Sequence, residues 1–365
     1  MKKSIFRSAV LIFTLLLGIK TIGYAQHIHT DELDAYWKIT DRLRMGDTLS
    51  RDTWNTFLEM PGVKKYVKNQ AFDAGFLEYY RKTMQTVYMP QYADKVKKMM
   101  EHPFDYWVYY KINQYQAHET ELRAYAKRLR EPAYLDSMYK RTWAWLPKRL
   151  QKKSPSTSIF FINFDNDAIA QGDSIVFTLW CGYNLDKVNY GMLGGHELHH
   201  ILRGQTINAT FKPADEGIMY LLLSIVNEGT ADMVDKHGEL NNIKTLPTEY
   251  QPNDLLLTHP DSIIKQIDTA MQVMVDTKEA SFKTEGQYRK LINYSSGHDP
   301  GFYMADIIVR NGYQQELIEH VQSPFYFVYL YNKAAKKDQQ HRPVFSDKAI
   351  GYVKILEKRY WKKQD

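Results

Sequence analysis

The H-E-x-x-H run from His196 to His200 constrains this chain more than any other sequence feature, because its residues can act together only on a helix. On an α-helix, positions four apart lie about 40° apart on one face. Two imidazoles so placed can reach one Zn²⁺ at ~2.0–2.1 Å. Glu197, roughly 100° round the helix from His196, can take a proton from water beside the metal. The run therefore predicts a metal-binding helix over residues 188–203, ended by Gly204.

A carboxylate in a second predicted helix completes the set of ligands. Glu228 lies within residues 217–236, a strongly apolar stretch in which a carboxylate is costly unless it is paired or bound to metal. Asp232 lies one turn further along the same face and can accept the second N–H of a metal-bound histidine. Asp215 and Glu216 are rival third ligands, but an N-cap at the start of this helix explains them better.

Two other ligand arrangements are less consistent with the sequence. The metzincin pattern needs a glycine and a histidine beyond the second histidine of the run, at positions that Arg203 and Thr206 occupy here. His199 is three residues from His196 and could also reach the metal. That pair would leave the glutamate and the last histidine of the run without roles, so we expect His199 to support the site or to pack in the core.

The H-E-x-x-H run followed by N-E-G-T-A-D at residues 227–232 resembles the gluzincin metallopeptidases, of which thermolysin is the best-known member. With the segment GHDPGFYMA at residues 297–305, the chain is similar to a bacterial family of zinc-dependent peptidases of unknown function. The similarity extends from about residue 43 to residue 335.

The resemblance implies a zincin-like core. Its implied zinc ligands are His196, His200 and Glu228, and its implied general base is Glu197. Asp232 is implied to accept a hydrogen bond from a ligand histidine. It also implies that an edge strand, here residues 174–180, pairs with an extended substrate. The interval before the third ligand is longer than in thermolysin, so residues 205–213 form an insertion.

Gluzincins also use a histidine or tyrosine downstream of the third ligand to stabilise the developing oxyanion. Two residues are candidates here. His298 lies in a turn-rich segment, and Tyr303 lies at the start of the following helix. Loop capping or core packing is the alternative role for each, so the resemblance leaves open which of them acts, or whether neither does.

The first 25 residues are predicted to be a cleaved signal peptide. Basic residues precede a short apolar run at 9–19, and Gly23 and Ala25 suit a signal-peptidase site before Gln26. No cysteine follows that run, so no lipid anchor is expected, and no later stretch approaches the ~18 apolar residues of a membrane helix. We predict an exported protein, periplasmic or extracellular. Its formal charge falls from +6 to +2 on cleavage, which gives no reason to expect nucleic acid or a membrane surface as partner.

The pattern along the chain predicts an α+β fold that is predominantly α-helical. Residues 26–155 are a helical, aromatic N-terminal region. Residues 156–240 are the core, with two strands at 158–164 and 174–180, interpreted as antiparallel, and the two ligand helices. Residues 241–365 are a helical C-terminal region. We expect one catalytic unit overall.

These features predict an exported zinc metallopeptidase acting on a peptide or protein substrate. One alternative is a zinc hydrolase of another amide, such as a peptidoglycan cross-link, because the site chemistry would be identical. Another is a helical binding protein with an inactive site, although such a protein would not need Glu197. The sequence leaves open the substrate, the choice between internal and terminal cleavage, and the oligomeric state.

Overall fold

The computed structural model of the chain describes residues 26, 28–204, 207, 209–251, 254–257 and 259–361. The predicted signal peptide, at 1–25, and residues 205, 206 and 208 of the predicted insertion lie outside them. The strands are β1 (Ile28–His29), β2 (Ser158–Ile162), β3 (Ala168–Gln171) and β4 (Ser174–Thr178). The α-helices are α1 (Asp31–Arg44), α2 (Arg51–Leu58), α3 (Pro61–Asn69), α4 (Ala74–Tyr88), α5 (Ala93–Met99), α6 (Trp107–Ala117), α7 (Glu119–Leu129), α8 (Pro132–Trp143), α9 (Leu179–Val188), α10 (Met192–Arg203), α11 (Pro213–Asn241), α12 (Pro260–Asp276), α13 (Glu285–Leu291), α14 (His298–Arg310), α15 (Gln314–Glu319), α16 (Pro324–Ala335) and α17 (Asp347–Tyr360). The predicted α+β class with a predominance of helix is confirmed.

The N-terminal helices α1–α8 form where apolar residues recur at helical spacing. In α1, Leu33 and Tyr36 are buried on one face. Helix α4 begins after Asp73, whose carboxylate accepts a hydrogen bond from the Phe76 N–H at 2.7 Å and so caps the helix. The Tyr36 hydroxyl lies 3.1 Å from the hydroxyl of Tyr88 and joins α1 to α4. The last helix of this group, α8, packs directly against α10.

The four strands lie in the order β1-β2-β4-β3. Strands β2 and β4 are parallel neighbours, with Ile159 opposite Ile175, so the antiparallel interpretation of this pair was wrong. Both strands are almost wholly buried, as is typical of inner parallel strands. The turn after β2 leads first to β3, a strand that the sequence pattern did not predict. Strand β3 pairs antiparallel with β4, Ile169 opposite Val176. The edge of the sheet next to α10 is therefore β3, so the expectation that residues 174–180 form the edge strand was wrong. Residues 174–178 are an inner strand, and residues 179 and 180 begin α9.

Buried apolar side chains form two clusters among the described residues. The first joins α1–α10 and the sheet, and the second runs from Ile207 to Leu356 and joins α11–α17. Residues 156–240 contribute to both clusters. Helix α10 belongs to the first and α11 to the second, and the two helices pack against each other. The two predicted ligand helices therefore meet where the clusters meet. No described helix combines the length and the apolar character that crossing a membrane requires.

Helices α11 and α14 cross at a pair of glycines. A Cβ atom at Gly229 would lie 2.4 Å from the carbonyl carbon and oxygen of Gly301. A Cβ atom at Gly301 would lie 2.6 Å from the carbonyl oxygen of Ile225. Neither position has room for a methyl group, because the obstructing atoms are backbone. The crossing brings His298, at the start of α14, beside the middle of α11.

Candidate metal centre and active-site cleft

Helix α10 (Met192–Arg203) carries the H-E-x-x-H run and begins later than the predicted residue 188. The helix starts late because the chain turns at Gly191, which has a φ of +72°. The Gly191 N–H donates to the buried carboxylate of Asp186 at 2.9 Å, which fixes this turn. Gly204, with a φ of +70°, ends the helix as predicted.

Gly194 and Gly195 allow α10 to lie close to α8. A Cβ atom at Gly194 would lie 2.6 Å from Cγ of Met138, and one at Gly195 would lie 2.9 Å from Cβ of Arg141. The hydroxyl of Thr142 donates to the Gly195 carbonyl at 2.8 Å. The helix that carries the run is thus held firmly against the first apolar cluster.

Four donor atoms converge between α10, α11 and α14. The Nε2 atoms of His196 and His200 are 3.2 Å apart. Glu228 Oε2 lies 3.7 Å from the first of these nitrogens, 3.3 Å from the second and 3.4 Å from Nε2 of His298. Ligand atoms of a tetrahedral zinc ion with bonds of ~2.0–2.1 Å are about 3.3 Å apart. The atoms of His196, His200 and Glu228 are thus spaced as the ligands of one ion would be, and Nε2 of His298 lies next to the same carboxylate.

Two buried carboxylates on α11 orient the histidines. Asp235 Oδ1 lies 3.1 Å from Nδ1 of His196, whereas Asp232 Oδ1 lies 3.8 Å from the same nitrogen. Asp232 instead makes its short contacts, at 2.9 and 3.1 Å, with Nδ1 of His298. Sequence reasoning did not single out Asp235. Its spacing of seven residues from Glu228, on the same helix face as Asp232, is the signal that could have identified it.

Glu197 is buried, with 6% of its surface exposed, and lines the same cleft as the donor atoms. Burial raises the pKa of the Glu197 carboxyl, and the Glu228 carboxylate acts in the same direction. His196 and His200 oppose this shift without cancelling it. A carboxyl group with a raised pKa is suited to accepting a proton and returning it.

His298 and Tyr303, the two candidates for oxyanion stabilisation, lie in different surroundings. Burial lowers the pKa of His298, but the Asp232 and Glu228 carboxylates outweigh burial and raise it to about 9. A protonated imidazole here can donate a hydrogen bond through Nε2. Tyr303 donates its hydroxyl hydrogen to Asp261 and is not among the residues that line the cleft. The structure thus brings His298, and not Tyr303, to the donor atoms.

The rival ligands Asp215, Glu216 and His199 do not line the cleft. Asp215 lies inside the first turn of α11 and is not its N-cap, which corrects the sequence interpretation. Its carboxylate accepts hydrogen bonds from the Tyr352 hydroxyl at 2.8 Å and from Arg359 at 3.0 Å, and so ties α11 to α17. Glu216 is exposed. His199 is completely buried, and burial holds its pKa well below the usual value, so this ring is neutral.

A cleft of about 1290 Å³ opens in front of the donor atoms. The edge strand β3 forms part of its wall through residues 168–170. Ser296, His298 and Asp299, at the start of α14, contribute a second part. The volume exceeds that of a typical small-molecule site, ~300–1,000 Å³, so the cleft has room for a larger ligand.

The cleft wall is strongly acidic. Its lining carboxylates are Asp167, Glu197, Glu228, Asp232, Asp235, Glu239, Glu249 and Asp299. Among the described lining residues the only lysine or arginine is Lys236, which pairs with Asp235 and Glu239. Glu249 has no cationic partner in the described part of the chain. Its oxygens accept hydrogen bonds from the Tyr110 hydroxyl at 2.8 Å and the Trp180 indole N–H at 2.9 Å. Even with His298 protonated and with burial raising the pKa of the Glu239 carboxyl to about 7, carboxylates outnumber the cationic side chains of this wall, which favours ligands that carry positive charge.

The family model described as "Putative zinc dependent peptidase (DUF5700)" matches residues 54–340, well over half of the chain. No match was found among curated proteins or among solved structures.

Proposed function

Because this chain belongs to the DUF5700 family, which is described as "Putative zinc dependent peptidase", we propose that it is a metallopeptidase whose zinc ligands are His196, His200 and Glu228 and whose general base is Glu197. The observation that carries the proposal is the convergence of the two imidazole Nε2 atoms and one carboxylate oxygen at zinc-ligand spacing, with a buried glutamate beside them.

The chemistry of the donor set supports zinc as the metal. Two imidazoles and a carboxylate with room for a further ligand are typical of catalytic zinc sites. The carboxylates that surround the imidazoles are Glu197, Glu228, Asp232 and Asp235. With His196 and His200 neutral, Lys236 and the protonated His298 are the cationic side chains that line the cleft beside these four carboxylates, so a divalent cation would offset the remaining charge. When bound, zinc supplies a Lewis acid that polarises a carbonyl group and lowers the pKa of water.

Glu197 and His298 perform the proton transfer and charge stabilisation. Glu197 accepts a proton from the attacking water and delivers it to the leaving nitrogen of the cleaved amide. His298, fixed through Nδ1 by Asp232, directs Nε2 towards the carbonyl oxygen on which negative charge develops. Asp235 holds the His196 ring in the tautomer that leaves Nε2 free to bind metal.

Replacing His298 by alanine should lower kcat by roughly 10²–10³-fold while the protein keeps its zinc. The reason is that the variant loses a hydrogen-bond donor to the oxyanion and keeps all three proposed ligands. Steady-state kinetics together with elemental mass spectrometry would measure both effects. Loss of zinc from the variant would instead make His298 a metal ligand, and unchanged kcat would remove its catalytic role.

The substrate is proposed to lie along β3, the edge strand that lines the cleft, since an edge strand offers unpaired backbone groups to an extended peptide. The acidic wall favours peptides with a lysine or arginine side chain, or a free amino group, near the cleaved bond. The hydrogen bonds from Tyr110 and Trp180 fix the Glu249 carboxylate in this wall without neutralising its charge.

Replacing Glu249 by glutamine should reduce kcat/KM roughly tenfold for peptides that carry a lysine or arginine near the cleaved bond, because one charged hydrogen bond is lost. Uncharged peptides should be affected little. Glu59→Gln, which removes an exposed carboxylate outside the cleft, is the matched control. Equal loss on charged and uncharged peptides would show that Glu249 does not select for charge.

Export is proposed from the sequence of residues 1–25, whose basic start, apolar run and small residues before Gln26 suit cleavage by signal peptidase. The activity would then operate in the periplasm or outside the cell, on peptide or protein substrates.

The test of the proposed function is a peptide-library digest by the zinc-loaded protein, with products identified by mass spectrometry. We expect cleavage that a chelator abolishes, that added zinc restores, and that the Glu197→Gln variant lacks. Cleavage of peptidoglycan fragments but of no peptide would favour a hydrolase of another amide. A protein that binds zinc but cleaves neither class would be a binding protein.

A further inference from the structure

Arg203 is the most deeply buried arginine near the metal centre, with 5% of its surface exposed. It lies at the last position of α10, one turn beyond His200. No carboxylate among the described residues forms an ion pair with its guanidinium group. One nitrogen, Nη1, donates to the carbonyl of Val321 at 3.3 Å, and Nε has no acceptor in the described part of the chain. A buried cation with so few partners is costly, which calls for a functional reason.

The remaining contact of Arg203 leads to the metal centre. Nη2 donates to Oδ1 of Asn227 at 2.8 Å, and Nδ2 of Asn227 donates to Oε1 of Glu228 at 2.8 Å. The amide can adopt only this orientation, because a guanidinium group donates and cannot accept, whereas a carboxylate accepts. The other oxygen of the same carboxylate, Oε2, faces the Nε2 atoms of the histidines.

We propose that Arg203 and Asn227 are positioning residues for Glu228. Arg203 holds the Asn227 amide, and Asn227 holds Oε1 of Glu228, so that Oε2 faces the metal. This inference rests on the proposed function, since it assigns a role around the same zinc ion. The positive charge of Arg203 polarises the Asn227 amide and strengthens its hydrogen bond to the carboxylate. This chain of hydrogen bonds from Arg203 through Asn227 to Glu228, called the relay below, would let only Oε2 of Glu228 bind the metal. A coordination position would then stay free for substrate.

The relay also connects the two apolar clusters. Arg203 belongs to α10, whereas Asn227 and Glu228 belong to α11. The backbone carbonyl of Arg203 accepts a hydrogen bond from the Gln322 side chain at 2.9 Å, which anchors the end of α10 to the segment between α15 and α16. The distance between the histidines on one helix and the glutamate on the other is thus fixed by a polar link as well as by packing.

The test is zinc affinity, measured by competition with a chromophoric chelator, in Arg203→Met, Asn227→Leu and the double variant. Each single variant should bind zinc roughly 10–100-fold more weakly, as is usual for residues that orient a metal ligand. The double variant should bind no more weakly than the weaker single variant, because the two residues act in one chain. The absorption spectrum of the cobalt-substituted protein should change as well, since Glu228 becomes free to bind through both oxygens.

Asn332→Leu is the matched control, because Asn332 is also buried and its Oδ1 accepts a hydrogen bond, from the Phe345 N–H at 2.7 Å, outside the metal cleft. It should lower thermal stability without changing zinc affinity. If Arg203→Met does not fold, Arg203→Lys should weaken zinc binding in the same direction, because a single ammonium group lacks the planar fork of donors that holds the two acceptors in fixed positions.

If folded Asn227→Leu binds zinc as tightly as the wild type, the relay is overturned and the proposed function still stands. Independent, additive losses in the double variant would also overturn it. A wild-type protein that binds no zinc would overturn the proposed function and the relay together.

Discussion

Replacing Glu197 by glutamine should reduce peptide hydrolysis by roughly 10³–10⁴-fold, the upper part of the range for loss of a general acid–base group. Glutamine has nearly the same shape as glutamate but cannot accept a proton from water. Glu197 lies in the cleft beside the proposed ligands without being one of them, so zinc content should be unchanged. Burial raises the pKa of this carboxyl, which keeps its proton affinity high enough to serve as a base and then to return the proton.

Steady-state kinetics on a cleaved peptide, with the zinc content of the same preparations, would test this expectation. Glu216→Gln is the matched control, because Glu216 is an exposed glutamate on α11 that does not line the cleft. It should keep full activity. A Glu197→Gln variant with activity close to that of the wild type would remove Glu197 from the mechanism.

Replacing Gly229 by alanine should lower the free energy of unfolding by about 3 kcal/mol or more, at the upper end of the cost of overpacking. The new methyl group would lie 2.4 Å from the backbone carbonyl of Gly301, and backbone cannot move aside as a flexible side chain can. Separation of α11 from α14 would also move His298 away from Glu228 and Asp232. We therefore expect a lower melting temperature and a lower kcat in whatever protein folds.

Gly351→Ala is the control for this substitution. Gly351 lies within α17, and a Cβ atom there would have no neighbour within 4 Å. Alanine at such a helical site should stabilise the protein by up to about 1 kcal/mol. Thermal unfolding of the two variants would separate crowding from helix propensity. Equal stability of Gly229→Ala and the wild type would mean that the backbones of α11 and α14 are further apart than in this structure.

Local sequence patterns predicted much of this fold because they report nearby contacts. Helical spacing of apolar residues predicted the helical N-terminal region that contains α1 and α4, and Gly204 correctly marked the end of α10. The motif residues His196 and His200 converge because one helix carries both. The contact of Glu228 with these histidines could be predicted because a carboxylate buried in an apolar helix needs a specific partner.

Contacts between distant segments were harder to predict. The parallel pairing of β2 with β4 depends on β3, a four-residue strand too short to give a clear pattern. Asp232 was expected to accept a hydrogen bond from a metal-bound histidine. Because α11 crosses α14, Asp232 instead contacts Nδ1 of His298, and Asp235 contacts Nδ1 of His196. No local pattern reports which of two carboxylates on one helix face meets which ring on another helix.

The most direct test of the proposed zinc site is the metal content of the purified protein, wild type beside Glu228→Ala, measured by elemental mass spectrometry after zinc loading and desalting. We expect about one zinc ion per wild-type chain, as in a mononuclear catalytic site, and loss of that zinc in the variant. A wild-type protein that holds no zinc after loading would contradict the metallopeptidase assignment. Zinc retained by folded Glu228→Ala would contradict the proposed third ligand.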